Sequence, residues 1–406
     1  MAMAQRTTMI RRSKLEAAKR REKDKKHLSA RRDMREAQMS ADREAWEKLL
    51  DENIDWETKR RRRCREIEQL CLRGIPPAVR RRAWQAMISN PLEISREQYQ
   101  ITRARALRIA HKQAQRDDEL QTRNREMQIK IVANNADETT RVGSESRSII
   151  DFCVPSTASI AGSANSNEFR QSFGTSTLTL SGTKAASMAL LNQDIPRTFP
   201  EYAFFHDSGA LREVLQTFAC YRPDVGYIQG MTYLAASLLL YMEDGYEVFV
   251  CLANMLSGHL IDFYRFDMTQ INVHRKAFEY FFQMRLPMLF NHFTLHGVTS
   301  DMYFLEWSLT LFVKSLPLDI CIRVWDSYLL LGEVFFVRAA LGLLCLYAGT
   351  LRALEMEGIL QFLQRLPEDI DADQLFATIN EIQISRESFQ KHLLNDGAPN
   401  SICVIT

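Results

Sequence analysis

No Walker A loop, no dinucleotide glycine fingerprint, no HExxH pair and no GxSxG elbow occur in this sequence. Their absence removes a resident nucleotide site, a zinc-protease site and a serine-hydrolase elbow from the readings open to it. Cys64, Cys71, Cys153, Cys220, Cys251, Cys321, Cys345 and Cys403 form no CxxC pair, and the eight His do not cluster with Cys or carboxylates at ligand spacing. A resident metal or other cofactor is therefore not expected. Several of these Cys lie in apolar runs and read as buried, reduced thiols of an intracellular protein. The first residues are polar and basic, with no apolar leader. The longest apolar run, Val334 to Ala348, contains Arg338 and is too short to span a bilayer. An excess of one charge is also missing. Lys and Arg number 52 against 50 Asp and Glu, a difference of +2, which gives no support for nucleic-acid binding. Alternating strand patterns are scarce and hairpin dipeptides are absent, which argues against a sheet.

What is present is helical. Residues 1–60 lack Gly and Pro and carry a basic run from Arg11 to Lys26. With few large apolar residues to dock it, this segment is expected to be an exposed or partly disordered helical arm. Lys59 to Leu72 reads as a helix. It ends at Gly74, a C-cap residue, and Pro76-Pro77 suits the first turn of the next helix, which puts Val79, Ala83, Trp84 and Met87 on one face. Residues 95–132 read as a charged helix. Residues 137–183 are rich in Ser, Thr and Gly and bury too little to offset their ordering entropy, so a disordered insertion is expected there. Apolar helices follow at 211–220, 230–242, 246–257, 276–283, 302–313, 317–330, 334–349 and 356–363, with two more within 372–394. The expected organisation is a charged arm (1–60), an all-α domain (61–394) interrupted by the insertion, and a flexible tail (395–406).

The stretch Leu191 to Gly230 sets two long polar side chains beside backbone breakers. Arg197 lies between Pro196 and Pro200, and Gln229 sits in Gly226-Tyr227-Ile228-Gln229-Gly230. Proline restrains and glycine frees the backbone, so both groups are expected on loops at helix ends. They are 229 − 197 = 32 positions apart, joined by an apolar helical run that could return the chain to the same cleft. An arginine and a glutamine held in this way could reach phosphate chemistry on a partner.

Three blocks carry a resemblance. Arg73-Gly74-Ile75-Pro76 with Arg80 and Trp84, then Asp194-Ile195-Pro196-Arg197-Thr198-Phe199-Pro200, then Gly226 to Met231, followed by Val324-Trp325-Asp326, resemble the signature of the TBC domain of Rab GTPase-activating proteins. The likeness covers about residues 70–394. It is nearest to the subfamily whose animal members work on recycling endosomes and in autophagy. It implies a two-lobed, all-helical TBC fold and a Rab GTPase partner that brings its own Mg-GTP. The chain would then activate a GTPase without having a substrate site of its own. Its place would be cytoplasmic, peripheral to endosomal or Golgi-derived membranes, regulating vesicle traffic. By the same likeness Arg197 is the arginine finger and Gln229 the glutamine finger. Asp194 orients Arg197 or its backbone, and Gly226, Tyr227 and Gly230 shape the glutamine loop. Trp84, Trp325 and Arg73 are expected to pack the fold. Leu191 stands where the family pattern has Ile, a swap that keeps apolar volume.

The tail ends in Cys403-Val404-Ile405-Thr406, the Cys-aliphatic-aliphatic-X pattern of prenylation, although Thr is not among the usual last residues. Lipidation at Cys403 is the expectation, with the basic arm as the second membrane signal that a single prenyl chain needs.

Overall fold

The computed structural model describes residues 34–141 and 184–395, apart from 53, 203 and 208. The basic run, residues 142–183 of the insertion, and the tail with Cys403 lie outside the described residues. Among the described residues every regular element is helical and none is a strand.

The chain opens with α1 (34–51), α2 (Trp56–Arg62), α3 (Cys64–Arg73), α4 (Pro77–Ile88) and α5 (Arg96–Arg141). After the insertion come α6 (Lys184–Asp194), the four-residue α7 (Phe204–Asp207), α8 (Ala210–Tyr221), α9 (Met231–Leu239) and α10 (Gly245–Met255). The remainder is α11 (Leu260–Tyr264), α12 (Met268–Arg285), α13 (Pro287–Leu295), α14 (Phe304–Thr310), α15 (Leu318–Leu331), α16 (Glu333–Leu346), α17 (Ala348–Leu351), α18 (Met356–Gln364), α19 (Ala372–Glu381) and α20 (Arg386–Asn395).

Local chemistry explains many of the ends. Side chains of Asp55, Asp244, Asp267 and Asp371 accept from the first free amides of α2, α10, α12 and α19. Pro77 and Pro287 occupy the first turns of α4 and α13, where a missing N–H leaves nothing unpaired. Gly74 closes α3 with φ 94°, as its position in the sequence predicts.

One continuous apolar cluster, from Trp46 to Phe389, runs through the helices. The described part of the arm joins it. Trp46 and Leu49 are buried, Trp46 stacks on Trp56 at 6.4 Å, and Asp42 accepts from Arg73 at 2.6 and 3.1 Å. The arm is thus not exposed throughout, because a single indole buries enough apolar surface to dock a helix that is otherwise charged. Truncating a buried Trp of this kind costs about 3–5 kcal/mol.

The early and late helices are locked together at Asp326 on α15. This carboxylate is fully buried and accepts from Arg80 at 3.1 Å on each oxygen, from Trp84 Nε1 at 2.8 Å and from the Ile75 amide at 2.7 Å. Arg80 also donates to the Ile75 carbonyl and, at 3.2 Å, to the Tyr241 hydroxyl, and its guanidinium lies 4.9 Å from the Tyr241 ring centre. The first and last signature blocks of the sequence are therefore two halves of one buried polar network. Trp84 and Trp325 pack beside it with ring centres 5.6 Å apart.

Candidate functional site

The buried Leu191 anchors the end of α6. There the chain tightens into a 3-10 turn, Ile195–Arg197, with Pro196 inside it. The Thr198 amide donates to the Ile195 carbonyl at 3.1 Å, and its hydroxyl donates to the Asp194 carbonyl at 2.8 Å. Phe199 then turns the chain with φ 48°, a left-handed conformation that is strained for a bulky residue. Its ring is buried against Tyr202, Phe205 and Tyr233 at centre distances of 6.0, 5.8 and 5.8 Å, and this packing holds the strained turn in place. The result is a short, pinned loop that presents Arg197 outward, with 54% of its side chain exposed.

Asp194 divides its carboxylate between two partners. One oxygen accepts from the Arg197 guanidinium and the other from the Tyr227 hydroxyl. Asp194 and Tyr227 are both buried. Burial, and then the neighbouring negative charge of Asp194, push the Tyr227 hydroxyl far above its ordinary range, so it stays protonated and remains a donor. The carboxylate therefore ties the arginine turn to the glutamine loop.

That loop leaves α8 at Tyr221. Arg222 donates to Asp224 at 2.9 and 2.8 Å, and Arg265 donates to the same carboxylate at 2.8 Å. These two cations, Arg222 above all, hold Asp224 well below the usual carboxylate range. The chain reverses at Gly226 (φ 68°) and again at Gly230 (φ 104°), the N-cap of α9. A Cβ at Gly230 would meet the Leu309 carbonyl and the Thr310 methyl at 3.5 Å, which is ordinary contact. Backbone conformation rather than lack of space therefore calls for glycine there. Gln229 is partly exposed, and no hydrogen bond among the described residues engages its carboxamide.

The structure thus joins Arg197, Asp194 and Tyr227 directly, and places Gln229 two residues beyond Tyr227 on the loop that Gly226 and Gly230 shape. The positioning role read for Asp194 takes the form of a clamp on both loops. Sequence reasoning missed Phe199 and Tyr233. Tyr233 lies on α9 and also approaches the Arg197 carbonyl with its hydroxyl, at 3.5 Å. Pro200 disfavours helical geometry at Phe199 but points to extended backbone, so nothing local announces its left-handed turn. An electropositive tip and a free carboxamide on adjoining rigid loops can stabilise developing negative charge and orient a water. Among the described residues no group of three or more His, Cys, Asp or Glu is arranged to hold a metal, and no helix is long and apolar enough to cross a membrane.

A family model described as the Rab-GTPase-TBC domain matches residues 160–351. TBC1 domain family member 12 of Xenopus tropicalis is 33% identical over 332 residues, covering 80% of this chain and 41% of the relative. TBC1 domain family member 14 of Homo sapiens is 33% identical over 325 residues, covering 79% and 39%. The chain therefore spans about two fifths of the length of these relatives. Drainin of Dictyostelium discoideum is 31% identical over 357 residues, covering 85% of this chain and 76% of that protein. Among solved structures, the Ypt/Rab-GAP domain of Gyp1p superposes with a TM-score of 0.55 at 16% identity, over 88% of this chain and 99% of that one. The Chlamydomonas flagellar RabGAP TBC domain gives 0.54 at 16% identity, over 84% and 96%. The two share the fold.

Proposed function

Starting from the chain's membership of the Rab-GTPase TBC-domain family, we propose that it activates GTP hydrolysis by a Rab-family GTPase, supplying Arg197 and Gln229 in trans. The observation that carries the reading is the Asp194 clamp. It fixes an exposed guanidinium and, through Tyr227, the loop bearing a free carboxamide.

Each group has a defined task in this reaction. Phosphoryl transfer to water gathers negative charge on the leaving oxygens, and a small GTPase alone stabilises it slowly. Arg197 enters the partner's nucleotide site and neutralises that charge. Arginine suits the role because it stays ionised and its planar donors match phosphate oxygens. Gln229 orients the attacking water with its carboxamide. Asp194 keeps the guanidinium aimed before the partner arrives, so little ordering remains at the moment of reaction. Mg-GTP belongs to the partner, and this chain contributes no cofactor of its own. In a cell the activity would end Rab signalling in vesicle traffic, at the cytoplasmic face of endosomal or Golgi-derived membranes.

The test is single-turnover GTP hydrolysis by a panel of purified Rab GTPases with wild-type chain, Arg197→Ala and Gln229→Ala. Acceleration should fall by about three to five decades when Arg197 is lost, and by about a hundredfold when Gln229 is lost. Equal acceleration by wild type and Arg197→Ala on every partner would remove the reading. Tight binding with no acceleration would point to a docking module instead.

A further inference from the structure

A few residues beyond Arg197 the fold leaves two aromatic rings in solvent. Tyr202 is 42% exposed and Phe204 56%, although Phe199 and Phe205 beside them are buried. The four rings form one cluster, with Tyr202 6.3 Å and Phe204 5.6 Å from Phe205. The buried pair is the base on which the outer pair stands. The backbone is pinned as well, because the Tyr202 amide donates to the Phe199 carbonyl at 2.9 Å, at the left-handed turn.

Single exposed apolar side chains are ordinary, whereas adjoining exposed aromatics beside a functional side chain mark an interaction face. Geometry decides what covers this one. A stable interface buries about 800 Å² on each partner, equivalent to a disc of roughly 16 Å radius. The Tyr202 amide is bonded to a residue two places from Arg197, which puts it within roughly 12 Å of that residue. An interface of that radius around Arg197 takes in this part of the backbone, so a protein whose nucleotide Arg197 reaches is the partner best placed to cover these rings.

We infer that Tyr202 and Phe204 form a docking platform for the GTPase surface that flanks its nucleotide. The platform selects GTPases presenting aliphatic or aromatic side chains there. The inference rests on the proposed activation of a Rab GTPase and adds a specificity determinant to it. On this reading the rings meet the partner's surface and neither its nucleotide nor the attacking water, so they act on encounter and dwell time while Arg197 acts on the chemical step.

The experiment measures KM, kcat and binding for GTP-loaded Rab GTPases across a panel, using wild type, Tyr202→Ala/Phe204→Ala, Phe204→Ala alone, Phe204→Leu and Arg197→Ala, each shown by its melting curve to be folded. The double variant should raise KM about tenfold on accepted GTPases, and Phe204→Ala alone, at a ring that packs on Phe205 rather than on Phe199, should raise KM by a smaller factor and leave kcat within about twofold. Phe204→Leu should keep most of the affinity, and Arg197→Ala should lose kcat yet still bind. Wild-type KM and an unaltered acceptance pattern in the double variant overturn the platform alone. A fall in kcat with unchanged KM also overturns it, by assigning the rings to holding the turn. If no GTPase is bound or accelerated by the wild type, the parent reading falls and the platform with it.

Discussion

Asp326 and Asp194 are both buried aspartates that receive an arginine and an aromatic donor, yet they serve different ends. At Asp326 every party is enclosed. Arg80 is nearly inaccessible, and it donates further to the Ile75 carbonyl and the Tyr241 hydroxyl. Burial pushes the Asp326 carboxyl upward even against the opposing pull of Arg80. At Asp194 only the carboxylate side is sealed, and the far side of Arg197 is open to solvent. The same ion pair is a fastener where both ends are enclosed and a mount where one end is free. The difference lies in which helices cover the guanidinium, not in the residues of the pair.

The comparison is broken most severely by removing Arg197. Arg197→Ala should cost about 4–7 kcal/mol of transition-state stabilisation and a smaller amount, about 1–3 kcal/mol, of fold stability because the buried Asp194 loses a partner, measured by single-turnover hydrolysis beside thermal unfolding. The reverse pattern belongs to the other aspartate. Asp326→Ala strands Arg80, Trp84 and the Ile75 amide, and should destabilise the fold by about 3–5 kcal/mol in urea unfolding.

A third cluster sharpens the contrast because its charge depends on pH. His274 on α12 contacts Glu333, and lies 3.3 Å from Asp262. Burial pulls His274 down, but Glu333 and Asp262 more than offset this and raise it to about 10. Burial opposes the ionisation of Glu333, and the His274 charge prevails and holds it below its ordinary value. The raised His274 contributes stability that is full below its unfolded value near 6.5 and is lost as pH climbs toward about 10. The lowered Glu333 contributes stability that is present above about 4.5 and lost under acid. The His274 cluster should therefore lose about 2 kcal/mol between pH 8 and 10, apart from what the buried thiols of Cys71, Cys251 and Cys321 lose over the same range. Most of that slope should vanish in His274→Gln, read from denaturant midpoints across pH. The smallest effect is expected at the clamp. Tyr227→Phe removes one hydrogen bond to a buried carboxylate and should lower acceleration about tenfold, with a stability loss of about 1–2 kcal/mol.

The two loops of the site are legible in the sequence because prolines and glycines bracket them, while their polar residues stand out only through the resemblance of the surrounding blocks to the TBC signature. The Asp326 network is not legible. Ile75, Arg80 and Trp84 stand 242 to 251 positions from it, and nothing local declares that α3, α4 and α15 will meet. Docking of α1 is hidden for a related reason, since one Trp among charges sets up no period. Helix α13 escapes because Met288 and Leu295 face solvent, which blurs the one-sided pattern a buried helix shows. The charged helix read over 95–132 is real but continues to Arg141, because polar helix formers keep it going without any core to pack on.

That helix has a mechanical consequence. Tyr99, Ala106 and the Arg103–Glu213 pair fasten its beginning to the body. From Ala114 to Lys130 every described side chain is exposed. About 24 Å of exposed rod therefore runs from Ala114 to Lys130. Its fastened end grips α8, the segment that runs from the arginine turn to the glutamine loop. Anything that takes hold of the exposed stretch has a lever on the spacing of the Arg197 and Gln229 loops.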